Sequence, residues 1–259
     1  MMYIIIPMAG ESSRFFNAGY TVPKYMLPLG SETVFDKAIK SFKDYFNNAV
    51  FVFVVRNDKY DSFEFVDDHV KMLGIKWYYV HILKEPTKGQ AETVYKFLAE
   101  RGLEDSMDEL VIFNIDTIRH NLKIPVGNFT SYFDAFYDDF PDPKFSFCET
   151  SKEFPDSIVR TAEKKVISNW CSTGLYIFSS VRIYVNAYKA ALDDELLNGN
   201  TYNYYIAPLY NYIIPKPNGV PTEKSSNYLL KCPLLDVESC GVPDEYEALK
   251  IKYKTEQRD

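Results

Sequence analysis

The sequence predicts an α/β fold in which a mostly parallel, mixed sheet is covered by helices on both faces. Short apolar segments rich in β-branched and aromatic residues recur along the chain, and amphipathic segments with helical spacing separate them in its first half. Such alternation gives parallel strands joined by crossover helices, and therefore three layers. No stretch is long and polar enough to be a linker, so one domain is predicted over residues 1–259.

The individual elements follow from these patterns. In the first half, helices are predicted at 33–46 and 89–101, and strands at Tyr3 to Ile6, Ala49 to Val55, Trp77 to Leu83 and Leu110 to Ile115. In the second half, strands are predicted at 144–149, 174–180 and Tyr228 to Val237. Helices are predicted there at Val181 to Leu192, at Tyr204 to Ile214 and from about Pro243 onward.

The composition excludes several classes of protein. A formal net charge of -7 disfavours a chain that coats nucleic acid through an extended basic surface. No apolar run approaches the ~20 residues of a membrane helix, and the apolar run at the start is too short for a signal peptide. A cytoplasmic protein without membrane contact is therefore expected. The four cysteines and three histidines show no paired spacing, so any metal is expected to have oxygen ligands.

A loop rich in small and cationic residues follows the first predicted strand. It contains Gly10, Ser12, Ser13 and Arg14, and Lys24 lies ten residues further on. Ligands of open α/β sheets bind at the carboxyl edge where this loop emerges, and small residues let backbone N–H groups approach phosphate oxygens. The spacing matches neither the P-loop nor the dinucleotide fingerprint. A surface turn with two solvated cations is the alternative interpretation.

The segment from Ala9 to Arg14, followed by Pro23 and Lys24, resembles the signature of the sugar-nucleotide pyrophosphorylase (nucleotidyltransferase) family. The resemblance continues in order through KGQAETV, FNIDT, AEKKVISNWCSTGLYIF, NYYIAPLYN and CGVPDEYEAL. It implies a Rossmann-like domain of the GT-A type, with a nucleotide-binding part at about 1–125 and an acceptor-binding part at about 126–259. It also implies transfer of a nucleoside monophosphate from an NTP to a phosphorylated small molecule, with release of pyrophosphate.

The resemblance assigns the nucleotide site to the loop and to a second segment at a predicted helix start. Arg14 and Lys24 would neutralise the triphosphate, the arginine by forked hydrogen bonds and the lysine as a point charge. The remaining nucleotide-binding residues are expected to be Met8, Ala9, Gly10, Glu11, Ser12, Ser13, Gly89, Gln90 and Ala91.

Mg²⁺ is the cofactor that the resemblance implies, and Asp116, which closes the predicted strand ELVIFNID, is expected to be a ligand. Mg²⁺ uses one or two carboxylates together with phosphate oxygens and water. The second carboxylate is expected to be Asp236, with Glu238 as the alternative. Family members usually have an Asp just before a Gly-Thr-Pro segment, whereas this chain reads LLDVESCGVPDEY, so Asp236 would require a bulge.

The acceptor site is assigned by the same resemblance to Asn114, to the pair Glu163 and Lys164, and to Thr173 and Gly174. Lys164 would hold the attacking phosphate near the α-phosphorus. A solvated run of charges is the alternative for Glu163 and Lys164. The segment NYYIAPLYN is explained by helix packing alone and is left outside the predicted site.

The donor is expected to be CTP, because the opening segment looks like that of compact family members from capsule clusters, among them a cytidylyltransferase of phosphorylated L-glutamine. The acceptor would be a sugar 1-phosphate or a phosphorylated metabolite such as L-glutamine phosphate. A homo-oligomer is compatible with the sequence. Two alternatives stay open: a GT-A type glycosyltransferase, although Asn114-Ile115-Asp116 has one acid where Asp-x-Asp is usual, and a non-catalytic nucleotide-binding protein.

Overall fold

The structure is a computed structural model that describes residues 1–56, 60–199, 204–216 and 226–255. Its α/β fold, with a nine-stranded mixed sheet between helices, confirms the predicted fold class. Among the described residues, no helix is long and apolar enough to cross a membrane. In chain order the elements are β1 (Met2–Pro7), α1 (Ser13–Asn17), β2 (Pro28–Leu29), β3 (Glu32–Thr33), α2 (Val34–Lys40), β4 (Val50–Arg56), α3 (Ser62–Leu73), β5 (Tyr78–Leu83), α4 (Gln90–Glu100), β6 (Glu109–Phe113), β7 (Thr117–Arg119), β8 (Ser131–Tyr137), β9 (Ser146–Thr150), β10 (Ile158–Glu163), β11 (Trp170–Phe178), α5 (Val181–Asn198), β12 (Asn227–Cys232), β13 (Val237–Ser239) and α6 (Pro243–Thr255).

The sheet combines a parallel half with a mixed half. Its order is β10-β9-β11-β6-β1-β4-β5, with β8 beside β11 and β12 beside β8. Strands β6, β1, β4 and β5 run parallel, as the alternation with helices predicts. Strand β11 reverses direction against β6 and also pairs with β8 and β9. The loops after β1 and β6 therefore emerge side by side at one edge, where ligands of such sheets bind.

The two faces of the sheet carry separate hydrophobic cores. On β1, Ile5 packs on one face with α4 and α5, whereas Ile4 and Ile6 pack on the other face with α2 and α3. All three isoleucines are fully buried. Successive side chains of a strand point to opposite faces, and a strand buried on both sides therefore has the continuous apolar run seen in the sequence.

Tertiary contacts shorten several predicted elements. The helix predicted at 33–46 ends at Lys40 and is followed by a 3-10 helix, Lys43–Tyr45; between them, Ser41 Oγ accepts the backbone N–H of Arg119. The strand predicted from Tyr228 to Val237 is broken at Pro233, which cannot donate to a ladder. The segment Tyr204 to Ile214 forms only a 3-10 helix, Ala207–Tyr212.

The short strand β13 carries a buried carboxylate that fixes the C-terminal helix. Glu238 accepts hydrogen bonds from His120 Nε2 (3.2 Å), Lys252 Nζ (2.6 Å) and Tyr253 Oη (2.8 Å). Burial alone would raise the pKa of Glu238, but these hydrogen bonds outweigh it and lower the pKa to about 2. The ionised carboxylate therefore stabilises the packing of α6 on the β7–β13 pair.

Substitution Glu238→Gln is expected to lower the free energy of unfolding by about 2–3 kcal/mol at pH 7, because the charged acceptor is lost. Because folding lowers the pKa of Glu238, the ionised carboxylate stabilises the folded state at pH values above the unfolded-state pKa, near 4.5. This contribution disappears as the pH falls toward 2. The difference between wild type and variant, measured by urea unfolding, should therefore shrink between about pH 5 and pH 2. The control is Glu149→Gln, which breaks the exposed ion pair with Arg160 and should cost less than about 1 kcal/mol. A pH-independent difference would contradict this assignment.

Candidate active site

Two adjoining cavities open at the sheet edge where β1 and β6 end. Their volumes are about 780 Å³ and about 450 Å³, each within the range of small-molecule sites. The smaller cavity lies along the loop after β1, and the larger one extends toward β9, β10 and β11. The residues that border both are Glu11, Ser12, Lys24, Gln90, Asn114, Asp116 and Tyr205.

The loop after β1 places its small and cationic residues along both cavities. Ala9 and Gly10 line the smaller cavity, and Ser13 and Arg14 line the larger one. Ser12 adopts a left-handed conformation (φ 52°) that turns the chain into α1, and its Oγ accepts the backbone N–H of Lys24 at 3.3 Å. The N-terminal residues of α1 therefore face the cavity, in an arrangement suited to phosphate oxygens.

Met8 borders the smaller cavity directly after β1. Its side chain is 4% exposed, and its N–H donates to the Val54 carbonyl at 2.8 Å, which continues the pairing of β1 with β4. The N–H of Met8 is therefore engaged by β4, and the expected role of this residue in nucleotide binding stays a prediction.

Lys24 and Asp116 meet at the boundary of the two cavities. Lys24 Nζ lies 2.5 Å from Asp116 Oδ2, and both side chains are about one-fifth exposed. Strand β6 ends at Phe113, and Asp116 lies in the following turn, three residues beyond the strand that it was expected to close. The two most strongly implied residues thus form one contact, and the lysine charge is balanced by the aspartate.

Asp236 and Glu238 do not reach this contact. Asp236 lies in a 3-10 turn, Leu234–Asp236, where its Oδ1 accepts from Asn121 Nδ2 at 2.9 Å. Glu238 is directed toward α6 as described above. Neither residue lines either cavity. The expected placement of the second carboxylate is therefore corrected, because Pro233 ends β12 and the chain makes a 3-10 turn before β13.

Glu245 is a second carboxylate that, like Asp116, lies beside Gly241. A methyl group built on Gly241 would lie 3.3 Å from Asp116 Oδ2, 3.5 Å from Glu245 Oε2 and 3.8 Å from Ser239 Oγ. Glu245 Oε2 accepts hydrogen bonds from Ser239 Oγ and the backbone of Gly241 and Val242. Oxygen atoms of two carboxylates and one hydroxyl thus surround one small space beside Gly241.

The start of α4 supplies Gln90 and Thr93 to the lining of the cavities and packs closely against Tyr204. Gln90 Nε2 donates to Asn114 Oδ1 at 2.5 Å, and both residues border both cavities. A side chain on Gly89 would lie 2.8 Å from both Cβ and O of Tyr204. Ala91 is fully buried and its N–H donates to the Tyr204 carbonyl at 2.8 Å, so the expected nucleotide contact of Ala91 is corrected to a packing role.

Glu163 and Lys164 lie together on the wall of the larger cavity. Burial raises the pKa of Glu163, while a hydrogen bond from Ser146 Oγ and the charge of Lys164 oppose that rise. Lys164 has a left-handed backbone (φ 51°), and its ammonium donates to Tyr205 Oη at 2.6 Å. The Glu163 Oε1 atom is farther from this ammonium, at 3.9 Å.

Thr173 and Gly174 connect this wall to Asn114. Gly174 has φ 85°, and a side chain there would lie 2.6 Å from Asn114 Nδ2. The Gly174 carbonyl accepts the Asn114 N–H at 3.0 Å. Thr173 Oγ1 donates to the buried Asp134 at 2.7 Å, and Asp134 also pairs with Arg119 at 2.9 Å. The Thr173 hydroxyl therefore supports the cavity wall.

Sequence reasoning missed several residues of the site. Lys144, Ser146, Tyr176, Tyr205 and Glu245 all line the larger cavity. The sequence contained a signal for one of them, because Tyr205 lies in the NYYIAPLYN match that was attributed to packing. Lys144 Nζ contacts Glu245 Oε1 at 2.8 Å across a large separation in sequence, which no local pattern indicates.

The larger cavity has a mixed and slightly acidic lining. Arg14, Lys24, Lys144 and Lys164 are cationic, whereas six carboxylates line the same space, from Glu11, Asp116, Asp138, Asp142, Glu163 and Glu245. Three of the four cations already form an ion pair with a carboxylate of the lining. Lys24 with Asp116 and Lys144 with Glu245 are at hydrogen-bond distance, whereas Lys164 and Glu163 are 3.9 Å apart. A polyanionic ligand would therefore require additional positive charge.

Comparison with known structures identifies the family. The chain is 39% identical to the nucleoside-diphosphate-sugar pyrophosphorylase from Vibrio cholerae RC9, with a TM-score of 0.82, over 96% of this chain and 99% of that one. It also shares its fold with the inositol-1-phosphate CTP transferase from T. maritima (17% identity, TM-score 0.67, 98% and 96% covered). The UDP-glucose pyrophosphorylase from Acinetobacter baumannii is similar in the same way (13% identity, TM-score 0.64, 99% and 94% covered).

No protein-family model and no curated protein sequence matches the chain. The likeness to the Vibrio cholerae structure nevertheless covers almost the whole of both chains at high identity. The chain therefore belongs to the sugar-nucleotide pyrophosphorylase (nucleotidyltransferase) family, as the sequence resemblance predicts.

Substitution Gly174→Ala is expected to lower the free energy of unfolding by about 3 kcal/mol, because a left-handed backbone and a collision with Asn114 both oppose the methyl group. Gly199→Ala is the matched control, since Gly199 also has a positive φ (70°) but no atom of the described residues within 4 Å of the added carbon. Its cost should be about 1 kcal/mol. Thermal and urea unfolding measure both variants, and equal costs would show that the contact with Asn114 is not tight.

Proposed function

We propose that this protein is a metal-dependent nucleotidyltransferase that joins the nucleoside monophosphate of an NTP to a phosphorylated small molecule and releases pyrophosphate. The observation that supports the proposal most directly is the contact of Lys24 with Asp116 where the two cavities meet. A cation and a metal-binding type of side chain thus lie between a loop suited to phosphates and a second cavity of sufficient size for an acceptor.

Each cavity fits one substrate. The smaller cavity, lined by Ala9, Gly10 and Gln90, would hold the nucleotide, with its phosphates along the loop toward Arg14 and Lys24. The larger cavity would hold the acceptor, with its phosphate near Lys164 and its remaining polar groups near Glu163 and Ser146. The acceptor phosphate would then face the α-phosphorus from the side opposite to the leaving pyrophosphate.

The chemistry of this reaction requires positioning and charge neutralisation more than proton transfer. The attacking phosphate is an anion at neutral pH, so a general base contributes little. Lys24, Arg14 and Lys164 would orient the two phosphate groups and stabilise the charge that develops between them. No covalent intermediate with the protein is needed, because acceptor and donor occupy adjacent cavities.

The residues present fit Mg²⁺ as the cofactor. Asp116 Oδ2 borders the space beside Gly241 together with oxygen atoms of Glu245 and Ser239, and such hard oxygen groups suit Mg²⁺. The described residues contain no cluster of three or more acidic, histidine or cysteine groups suited to a metal, and Mg²⁺ in nucleotide sites uses few protein ligands. Asp116 would hold the ion, with Glu245 near it, and bound Mg²⁺ would neutralise phosphate charge.

The expectation of CTP as donor and of a capsule-related acceptor rests on the resemblance of the opening segment to compact family members. The T. maritima protein is an inositol-1-phosphate CTP transferase, but its 17% identity supports only the shared fold. A sugar 1-phosphate and phosphorylated L-glutamine are the two acceptor classes to test. Both carry the phosphate that Lys164 would hold.

Substitution Asp116→Ala is expected to reduce kcat by about 10²–10³-fold or more, because a group that stabilises charge in the transition state is removed. Asp236→Ala is the matched control, since this carboxylate lies outside both cavities. It should leave kcat within a few-fold of wild type. Coupled pyrophosphate detection measures turnover, and circular dichroism verifies folding. Near-normal turnover of Asp116→Ala would refute the metal assignment, and equal losses would restore Asp236 as a ligand.

A panel of four NTPs against glucose 1-phosphate and phosphorylated L-glutamine is expected to give pyrophosphate most rapidly with CTP, and EDTA should abolish the release. A preference for dTTP or UTP would refute the cytidylyl assignment while leaving the reaction class intact. Incubation with nucleotide sugars should yield no NDP, and NDP release would favour a glycosyltransferase. Tight NTP binding without pyrophosphate from any pair would favour a non-catalytic role.

A further inference from the structure

Tyr205 has a position that no other described residue of the acceptor-binding half shares. Among the described residues after 125, Tyr205 is the one that borders both cavities. The other residues at this boundary come from the phosphate loop, the start of α4 and the turn after β6. Tyr205 therefore approaches the place where the two substrates would meet from the opposite side of the site.

The phenol of Tyr205 holds the Lys164 ammonium. Lys164 Nζ donates to Tyr205 Oη at 2.6 Å and lies 4.3 Å from the centre of the same ring. The neighbouring carboxylate of Glu163 is farther from Nζ, at 3.9 Å, and its other oxygen accepts from Ser146. Lys164 is thus oriented chiefly by a neutral group.

A neutral partner can orient a phosphate-binding lysine without cancelling its charge. A carboxylate at hydrogen-bond distance would cancel the ammonium charge, as Asp116 does for Lys24. A phenol restricts the four rotatable bonds of the lysine, while the positive charge stays available to a phosphate. The contact therefore reduces the entropy that Lys164 must lose when it binds an anion.

The backbone beside Tyr205 is anchored to both halves of the site. On one side, the Tyr204 carbonyl accepts the Ala91 N–H at 2.8 Å and the residue packs against Gly89. On the other side, the Ala207 carbonyl accepts from Thr161 Oγ1 at 2.6 Å, on the strand that leads to Glu163 and Lys164. The phenol is thereby held at a fixed place between the nucleotide loop and the acceptor wall.

We propose that Tyr205 is a positioning residue that holds the Lys164 ammonium at the boundary of the two cavities, where the acceptor phosphate meets the nucleotide. The proposal rests on the proposed nucleotidyl transfer and adds to it a residue that acts through Lys164. It assigns a function to the NYYIAPLYN segment, whose tyrosine would otherwise serve only packing.

The test is the substitution Tyr205→Phe, which removes the hydroxyl and keeps the ring. With the NTP and acceptor pair that gives the fastest pyrophosphate release, kcat/KM for the acceptor is expected to fall about 10- to 100-fold, the effect of losing one hydrogen bond to a charged group. KM for the NTP should change by less than about twofold, since the hydroxyl acts on the acceptor side. Tyr212→Phe is the control, because its hydroxyl donates to Asp194 away from both cavities.

A double-mutant cycle separates positioning from general damage. If Tyr205 acts through Lys164, then Tyr205→Phe should cause little further loss in a Lys164→Met background. Independent, additive losses in the two backgrounds would overturn the proposal, and so would an acceptor kcat/KM of Tyr205→Phe equal to that of wild type.

A second measurement requires no turnover. Acetic anhydride labelling, read by mass spectrometry, gives the ratio of acetylation at Lys164 to that at the exposed neighbour Lys165. The ratio should rise in Tyr205→Phe, because the ammonium is released from the phenol. An unchanged ratio overturns the proposal in every case. If the wild type releases no pyrophosphate with any pair of NTP and acceptor, the proposed function is refuted instead. The labelling ratio still tests whether Tyr205 holds Lys164.

Discussion

The contact between Lys24 and Asp116 joins the two loops on which the site depends. Lys24 follows the loop after β1, and Asp116 lies in the turn after β6, the strand next to β1 in the sheet. Parallel pairing of these two strands brings residues that are 92 positions apart within hydrogen-bond distance. The same pairing brings the loop after β1 and the turn that carries Asp116 to the carboxyl edge, where both cavities open.

The two halves of the site are connected by close backbone contacts as well as by charges. Gly174 lies against Asn114, and Gly89 lies against Tyr204, each so close that a side chain would collide. The Gly174 contact fixes β11 to the turn after β6, and the Gly89 contact fixes the segment at Tyr204 to the start of α4. Such packing is expected to hold reacting groups in one geometry, and positioning supplies much of the acceleration in phosphoryl and nucleotidyl transfer.

The lysines of the site have partners of different charge. Lys24 contacts a carboxylate directly, so its charge is balanced in the structure. Lys164 donates to a phenol at 2.6 Å, and the carboxylate of Glu163 is farther from its ammonium, at 3.9 Å. The carboxylates outnumber the cations in the lining of the larger cavity, so a polyanionic ligand would require additional positive charge there.

Sequence patterns predicted the fold class, the parallel strands and the family, because apolar periodicity and a series of motifs in a fixed order can be recognised without knowing any tertiary contact. They also indicated Arg14, Lys24, Gln90, Asp116 and Lys164, all of which line the cavities. They failed at a strand boundary that Pro233 already marked in the sequence. The predicted strand through Asp236 required an unbroken ladder, whereas Pro233 ends β12 and directs Asp236 toward Asn121.

What the sequence by itself determined is therefore the scaffold and the residues carried by its motifs. Only the tertiary structure decided which side chains complete the site. Glu245 lies beside Gly241 like Asp116, and Tyr205 holds Lys164, across separations of many residues, and the folded sheet brings these partners together. The backbone N–H groups of Met8 and Ala91 likewise donate to β4 and to Tyr204. These contacts result from strand pairing and loop packing, which no local sequence pattern predicts.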